Sequence, residues 1–179
     1  MASMSNPRMY HSIAILMPDA RVLSAGGGRY GSASDYLTAQ YYSPPYLFKG
    51  ARPTISSLLG ATIYNSNFTI NTPDANVIST VSMISLGSVT HTLDMNQRFL
   101  KLNFTKSGNT LSVTSPLNSN YAPPGYYMIF ILNSNGVPSV AKIIQMVDST
   151  QPTPTVSPTP SPTGSGNTLV AAYNFNENS

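Results

Sequence analysis

Short apolar runs recur through the first 147 positions of this 179-residue chain, and turn residues separate them. Tyr, Ile, Val and Thr, which favour strands, are frequent in these runs. The intervening turn sequences include Pro18-Asp19, Ser107-Gly108-Asn109 and Asn135-Gly136. No stretch shows the sustained 3.6-residue period of an amphipathic helix. The sequence therefore predicts an all-β fold.

Nine strands are predicted from these runs, at residues 12–17, 21–25, 54–58, 68–71, 80–86, 98–104, 110–114, 126–132 and 141–147. The strands between about 50 and 147 suit a β-sandwich of the immunoglobulin type. Residues 1–28 offer one hairpin, which is only marginally stable by itself, so we expect it to belong to a larger sheet. Because an unpaired hairpin edge promotes aggregation, we expect residues 45–148 alone to behave better in solution than the whole chain.

The composition excludes several classes of function. Charged residues make up 8% of the chain, and the nine Lys and Arg residues are scattered singly. This pattern argues against a nucleic-acid partner, because phosphate recognition needs clustered basic side chains. The apolar runs are far shorter than the ~20 residues of a membrane span. The absence of cysteine excludes a disulfide framework and a thiolate metal site within the chain.

The last thirty-one residues have a different composition. Residues 149–167 hold five prolines and nine Ser or Thr, and no charge. They predict a disordered, polyproline-like linker, because the segment buries too little apolar area to offset its ordering entropy. In residues 168–179, apolar and polar side chains alternate as in one strand. This stretch resembles the first strand of a truncated laminin-G or concanavalin-like module.

Familiar catalytic motifs are either missing from the sequence or lack the neighbouring secondary structure that they require. Gly26-x-Gly28-x-x-Gly31 matches the dinucleotide-binding fingerprint as text, but no amphipathic helix follows it. We therefore interpret the glycines as the end of a strand. The six acidic residues show no paired-carboxylate site, and no G-x-S-x-G nucleophile motif occurs.

The two histidines carry the clearest chemical signal. His11 follows Tyr10 at the start of the first predicted strand, and His91 comes shortly after the strand at 80–86. Two imidazoles and a phenolate form a nitrogen and oxygen donor set that suits Cu(II). Neighbouring strand residues point to opposite faces, so Tyr10 and His11 could share a metal only where the strand begins or bends. Incidental histidines on the surface or in the core are the alternative.

Five sequence blocks between residues 8 and 147 occur in the order seen in a known family. They are Tyr10-His11-Ser12 with Pro18-Asp19 and Gly26-Gly27-Gly28; Ala39-Gln40 with Ser43-Pro44; Thr90-His91-Thr92 with Gln97-Arg98; Pro123-Pro124-Gly125-Tyr126; and Asn135-Gly136-Val137-Pro138. These blocks resemble galactose oxidase-like proteins. The resemblance implies a remnant of the last kelch propeller blade at 1–44 and an early-set β-sandwich at 45–148.

The resemblance also implies a copper site. Tyr10 matches the axial tyrosine, which acts as base toward the substrate hydroxyl, and His11 and His91 match the two equatorial imidazoles. Gln97 and Arg98 match a following pair to which we assign a structural or supporting role. The family is secreted and oxidises an alcohol, an aldehyde or a carbohydrate with O2 to give H2O2. Its redox partners are Cu(II) and a tyrosyl radical cross-linked to a cysteine.

The chain departs from the family pattern at several points, and one of them is the absence of tryptophan. It has no cysteine, so the Cys–Tyr pair and the remaining propeller are expected upstream, and the chain alone is expected to be inactive. Ala20 stands where the family often has glycine, which would cost about 1 kcal/mol if the position needs a positive φ. The alternatives are a non-catalytic extracellular carbohydrate-binding or adhesion module, and a structural sandwich whose histidines are incidental.

Overall fold

The computed structural model describes residues 4–28, 34–91 and 93–148. The linker predicted at 149–167 and the strand predicted at 168–179 lie outside the described residues. The regular structure of the described part is fourteen β-strands and two short 3-10 helices, Pro45–Phe48 and Ala75–Val77. The prediction of an all-β fold is confirmed. Across these three segments, no helix has the length and apolar character needed to cross a membrane.

The first sheet is antiparallel and contains three strands, β1 (Ser12–Leu16), β2 (Val22–Gly26) and β3 (Ala39–Tyr42), in that order. β1 and β2 confirm the predicted hairpin. Its three-residue connection, residues 18–20, ends at Ala20, whose φ is +65° and whose amide donates to the Met17 carbonyl at 2.8 Å. A three-residue hairpin connection requires a left-handed residue, so Ala20 occupies a position that favours glycine.

Two larger sheets follow. Their strands, together with a separate two-stranded hairpin, are β4 (Ser57–Leu58), β5 (Ala61–Ile63), β6 (Asn67–Asn71), β7 (Ile78–Ser85), β8 (Val89–Thr90), β9 (Leu93–Asp94), β10 (Phe99–Leu102), β11 (Phe104–Ser107), β12 (Thr110–Thr114), β13 (Gly125–Asn133) and β14 (Lys142–Val147). The order is β10-β7-β13-β14-β5 in one sheet and β11-β12-β6-β4 in the other. β8 and β9 form the separate hairpin in the connection between β7 and β10.

The two larger sheets pack face to face over one hydrophobic core. Ile70 and Leu111 from the four-stranded sheet are fully buried in the same cluster as Ile129 and Ile144 from the five-stranded sheet. Every second residue of β6 and β12 is buried, as expected for strands with one face in a core. This arrangement is a β-sandwich, in agreement with the sequence prediction.

Strand β13 is buried on both faces, which explains the unbroken apolar run in its sequence. Ile129 and Ile131 enter the core between the sheets. Met128 and Phe130 face the other way and form a second buried cluster with Ala20 and others. The turn between β1 and β2 therefore packs on the outer face of the five-stranded sheet.

Hydrogen bonds fix this docked turn. The Arg52 guanidinium donates to the Asp19 carbonyl at 2.9 Å and to the Ser139 carbonyl at 2.6 Å. The Tyr46 hydroxyl donates to the Ala20 carbonyl at 2.7 Å. These contacts argue against the expectation that residues 45–148 alone would be the better-behaved piece, because removal of the hairpin uncovers Phe130 and its neighbours.

The sequence assigned one strand where the structure has two. Residues 98–104 were predicted as a single strand, but β10 ends at Leu102 and belongs to the five-stranded sheet, whereas β11 begins at Phe104 in the other sheet. The chain changes sheets at Asn103 without a glycine or proline, so the local sequence gives no sign of the crossing. The strand predicted at 54–58 is reduced to Ser57–Leu58, and the strands β3, β5, β8 and β9 were missed.

Candidate metal centre

Three aromatic rings from two distant parts of the chain meet at one place on the surface. The ring centroids of Tyr10 and His11 are 4.0 Å apart, those of His11 and His91 are 5.0 Å apart, and those of Tyr10 and His91 are 5.6 Å apart. All three residues are exposed. The structure thus brings together the three residues that the sequence singled out as candidate ligands.

The backbone bends sharply at His11. Its φ is +61°, and the Ser12 amide donates to the Met9 carbonyl at 3.1 Å, which closes a tight turn just before β1. Because His11 is not in an extended conformation, its side chain and that of Tyr10 need not point to opposite faces. Histidine tolerates the left-handed region better than most residues with a Cβ, and such conformations cluster at functional sites.

The glycine run after β2 supports this turn from behind. The Gly28 amide donates to the Tyr10 carbonyl at 3.0 Å. Gly26 has a φ of +71°, and a Cβ there would lie 2.9 Å from the His11 carbonyl oxygen. Only glycine allows so close an approach of two backbone segments in this conformation. The run therefore has a packing role beside the candidate ligands.

Arg8 anchors the segment that leads into Tyr10. Its guanidinium donates to the Gly26 carbonyl and to the Thr38 carbonyl, both at 2.8 Å. The arginine thus links the chain before β1 to the end of β2 and the start of β3. Nothing in the sequence marks this residue as important, because an isolated arginine in a loop carries no recognisable signal.

His91 lies between the two strands of the small β8–β9 hairpin, with a φ of +50°. The Thr90 hydroxyl lies 2.7 Å from the Nδ1 atom of His91. The Asp94 carboxylate accepts hydrogen bonds from the Ser88 amide at 2.9 Å and the Asn96 amide at 3.0 Å. The connection between β7 and β10 is therefore held by its own side chains, and Thr90 sets the plane of the imidazole.

A close contact at Gly87 places this connection over the first sheet. A Cβ at Gly87 would lie 2.9 Å from the Cγ1 atom of Ile15 in β1. The absence of a side chain lets the base of the β7–β10 connection lie directly against β1. This contact brings His91 next to His11.

The donor set fits copper. With metal–nitrogen bonds of about 2 Å, imidazole rings that share one metal have centroids on the order of 5 Å apart, as His11 and His91 do. Within residues 4–28, 34–91 and 93–148, no three His, Asp or Glu side chains group as a metal site, so Tyr10 would have to serve as the third ligand. Two imidazoles with a phenolate are donors that Cu(II) accepts.

Gln97 and Arg98 follow His91 in the sequence and make contacts of their own. Arg98 donates through Nη1 to the Asn120 carbonyl at 3.2 Å and also to the Tyr121 carbonyl. It therefore stabilises the loop before β13, which agrees with the structural role expected for it. Gln97 lines a surface cleft together with Leu16 and Gly87.

Comparison with known proteins gives consistent matches. The profile of the family described as "Galactose oxidase-like, Early set domain" matches residues 52–146. The chain is 39% identical over 147 residues to a galactose oxidase of Gibberella zeae, across 78% of this chain and 21% of that protein. It is 34% identical over 160 residues to an aldehyde oxidase of Vitis pseudoreticulata, across 79% of this chain and 30% of that protein.

A solved structure is similar over the same region. It is a fungal alcohol oxidase of the AA5 family in complex with copper, with a TM-score of 0.75 and 37% sequence identity. The similarity covers 81% of this chain and 32% of that one. The chain spans about a fifth to a third of the length of the relatives it matches.

Proposed function

Because the chain belongs to the galactose oxidase-like early-set family, we propose that it supplies Tyr10, His11 and His91 to the copper centre of an oxidase. The observation that carries this proposal is the convergence of the three rings, with centroids 4.0 to 5.6 Å apart. The copper complex of the similar fungal alcohol oxidase supports the choice of metal. The substrate is a small alcohol, aldehyde or carbohydrate, and O2 is reduced to H2O2.

Each residue has a distinct task. His91 would hold the copper through Nε2, since the Thr90 hydroxyl engages its Nδ1 atom, and His11 would provide the second nitrogen. The Tyr10 phenolate oxygen takes the proton of the substrate hydroxyl, and its exposed position gives a substrate access to it. Copper bound there, with the cysteine-linked tyrosyl radical that the family resemblance implies, would supply the two-electron oxidation.

The domain assignment follows from the same resemblance. We propose that the three-stranded sheet of β1, β2 and β3 is part of the last kelch blade, and that the sandwich is the early-set domain. The docked turn at residues 18–20 then joins the propeller to the sandwich. The rest of the propeller is a partner of this chain within an extracellular, secreted oxidase.

Copper titration tests the proposed ligands. The 179-residue chain is expected to bind Cu(II) with submicromolar affinity, and electron paramagnetic resonance should show hyperfine coupling from imidazole nitrogen. His91→Ala should weaken binding at least tenfold. Tyr10→Phe should change the spectrum, whereas the same change at exposed Tyr126 should not.

Two outcomes would contradict this assignment. One is unchanged copper affinity in His91→Ala, and the other is a spectrum without nitrogen coupling. Weak binding by all variants alike would show that the chain alone does not assemble the three ligands.

The alternative of a non-catalytic carbohydrate-binding module is favoured by one feature outside the metal centre. That feature is a cleft at the edge of the sandwich, to which Tyr121 contributes. Carbohydrate binding at this cleft is also compatible with the oxidase function, because the cleft shares no residue with the three-ring cluster.

A further inference from the structure

A cleft opens at the edge of the sandwich where β10 passes into β11. Its volume is about 340 Å³, within the range of small-molecule sites. The side chains that matter here are those of Asn65, Lys101, Asn103, Leu117 and Tyr121. β10 is an edge strand of the five-stranded sheet, and no other strand of the described residues pairs with its outer side.

An aromatic and an aliphatic side chain stand exposed at the cleft. Tyr121 is 55% exposed and Leu117 is 57% exposed. Tyrosine is enriched at binding surfaces, because it combines an apolar ring with a polar hydroxyl group. The tyrosine offers a flat apolar face and a hydroxyl group to a ligand.

The loop that carries Tyr121 is rigidly held. Arg98 donates to the Tyr121 carbonyl, and the Tyr64 hydroxyl donates to the Ala122 carbonyl at 2.7 Å. The Tyr127 hydroxyl donates to the Pro123 carbonyl at 2.6 Å. Because the backbone is already fixed, ligand binding would not have to order this loop, which lowers its entropic cost.

The polar groups at the cleft are neutral except for one. Asn65 and Asn103 are exposed and each offers an amide with two donors and an acceptor. Asn65 also has a φ of +48°, and its backbone amide donates to the Pro116 carbonyl at 2.9 Å. Among the described residues that line the cleft, Lys101 is the single charged one, so they offer an anionic ligand only one ion pair.

We propose that this cleft binds a neutral carbohydrate chain. A sugar ring has an apolar C–H face that can stack on Tyr121 and hydroxyl groups that pair with the amides of Asn65 and Asn103. Such a site would hold a polysaccharide on the sandwich while the metal centre acts elsewhere. It is independent of copper and of the proposed oxidase function.

Affinity electrophoresis of the 179-residue chain tests this proposal, in gels that contain galactomannan, xyloglucan or mixed-linkage β-glucan. We expect retardation in at least one gel and about tenfold weaker binding for Tyr121→Ala. Tyr126→Ala is the matched control, because Tyr126 is 54% exposed but does not line the cleft. Asn103→Ala should also weaken binding, which keeps the test valid if Tyr121→Ala folds poorly.

Retardation should persist in the presence of a chelator and in His91→Ala, which separates this site from the metal centre. The proposal is overturned if none of the three polysaccharides retards the chain. It is equally overturned if Tyr121→Ala and Tyr126→Ala bind alike.

Discussion

The ring centroids of His11 and His91 lie 5.0 Å apart, although eighty positions separate the two residues in the sequence. Both residues have a left-handed backbone, with φ values of +61° and +50°. Such conformations are uncommon for residues with a Cβ and occur often at functional sites. Their occurrence side by side agrees with the proposed copper site, to which both imidazoles would contribute.

Thr90 is expected to position His91 for the metal. In Thr90→Val the hydroxyl that lies 2.7 Å from Nδ1 is lost while the side-chain shape is kept. We expect copper affinity to fall by about 10- to 100-fold, as is typical when the hydrogen-bond partner of a histidine ligand is removed. Thr90→Ser should restore both the affinity and the wild-type electron paramagnetic resonance spectrum. Equal affinity of Thr90→Val and wild type would refute the positioning role.

The packing role of Gly26 behind the candidate ligands can be tested with Gly108 as the matched control. Both have a positive φ, +71° and +55°, but a Cβ at Gly26 would lie 2.9 Å from the His11 carbonyl oxygen, whereas nothing lies within 4 Å at Gly108. Gly108→Ala should cost about 1 kcal/mol from its backbone conformation alone. Gly26→Ala should cost roughly 1–3 kcal/mol more, because backbone must shift. Urea unfolding would measure both, and similar values would refute the packing role of Gly26.

Ala20 affects the stability of the fold in two opposite ways. Its positive φ costs about 1 kcal/mol, whereas its buried methyl group contributes about 0.8 kcal/mol. Ala20→Gly should therefore change the free energy of unfolding by less than about 1 kcal/mol. Ala20→Val should destabilise by roughly 2 kcal/mol or more, because a β-branched residue is strained at this φ and the site is closed. A large stabilisation by glycine would show that the methyl group contributes nothing.

Three tyrosines make stability sensitive to alkaline pH. Burial raises the pKa values of Tyr46, Tyr64 and Tyr127 above the ordinary 10, and each hydroxyl donates to a backbone carbonyl. Because the folded state favours the protonated form, this stabilisation is fully present below pH 10 and is lost as pH rises through the folded pKa values. Thermal unfolding between pH 8 and 11.5 should show the loss. In Tyr127→Phe the melting temperature should fall less steeply with rising pH. An unchanged pH dependence in this variant would argue against this account.

The docked hairpin should stabilise the sandwich. Residues 45–148 alone would expose Met128 and Phe130, which the turn between β1 and β2 helps to bury. Compared with residues 1–148, we expect a loss of about 2–4 kcal/mol in urea unfolding, on the order of uncovering two large apolar side chains. Binding of a hydrophobic dye should increase in the shorter piece. Equal stability of the two pieces would instead support the expectation from the sequence that residues 45–148 do not need the hairpin.

A strand could be predicted from the sequence wherever the pattern that defines it lies within the strand and its flanking turns. Residues 110–114 were predicted as a strand and are β12, because alternation of apolar and polar residues between two turns needs no information from elsewhere. The change of sheet at Asn103 gave no such sign, since β10 and β11 continue the same alternation into different sheets. β3 was missed because its sequence, Ala-Gln-Tyr-Tyr, lacks a clear apolar face.

The sequence by itself determined the all-β class, most strand positions and, through a family resemblance, three candidate ligands. Only the tertiary structure decided that Tyr10, His11 and His91 lie together. Their meeting depends on the contact of Gly87 with Ile15 and on the close approach of Gly26 to His11. Turn chemistry and hydrophobic periodicity are properties of neighbouring residues, whereas these contacts join distant segments and exist only after the sheets have packed.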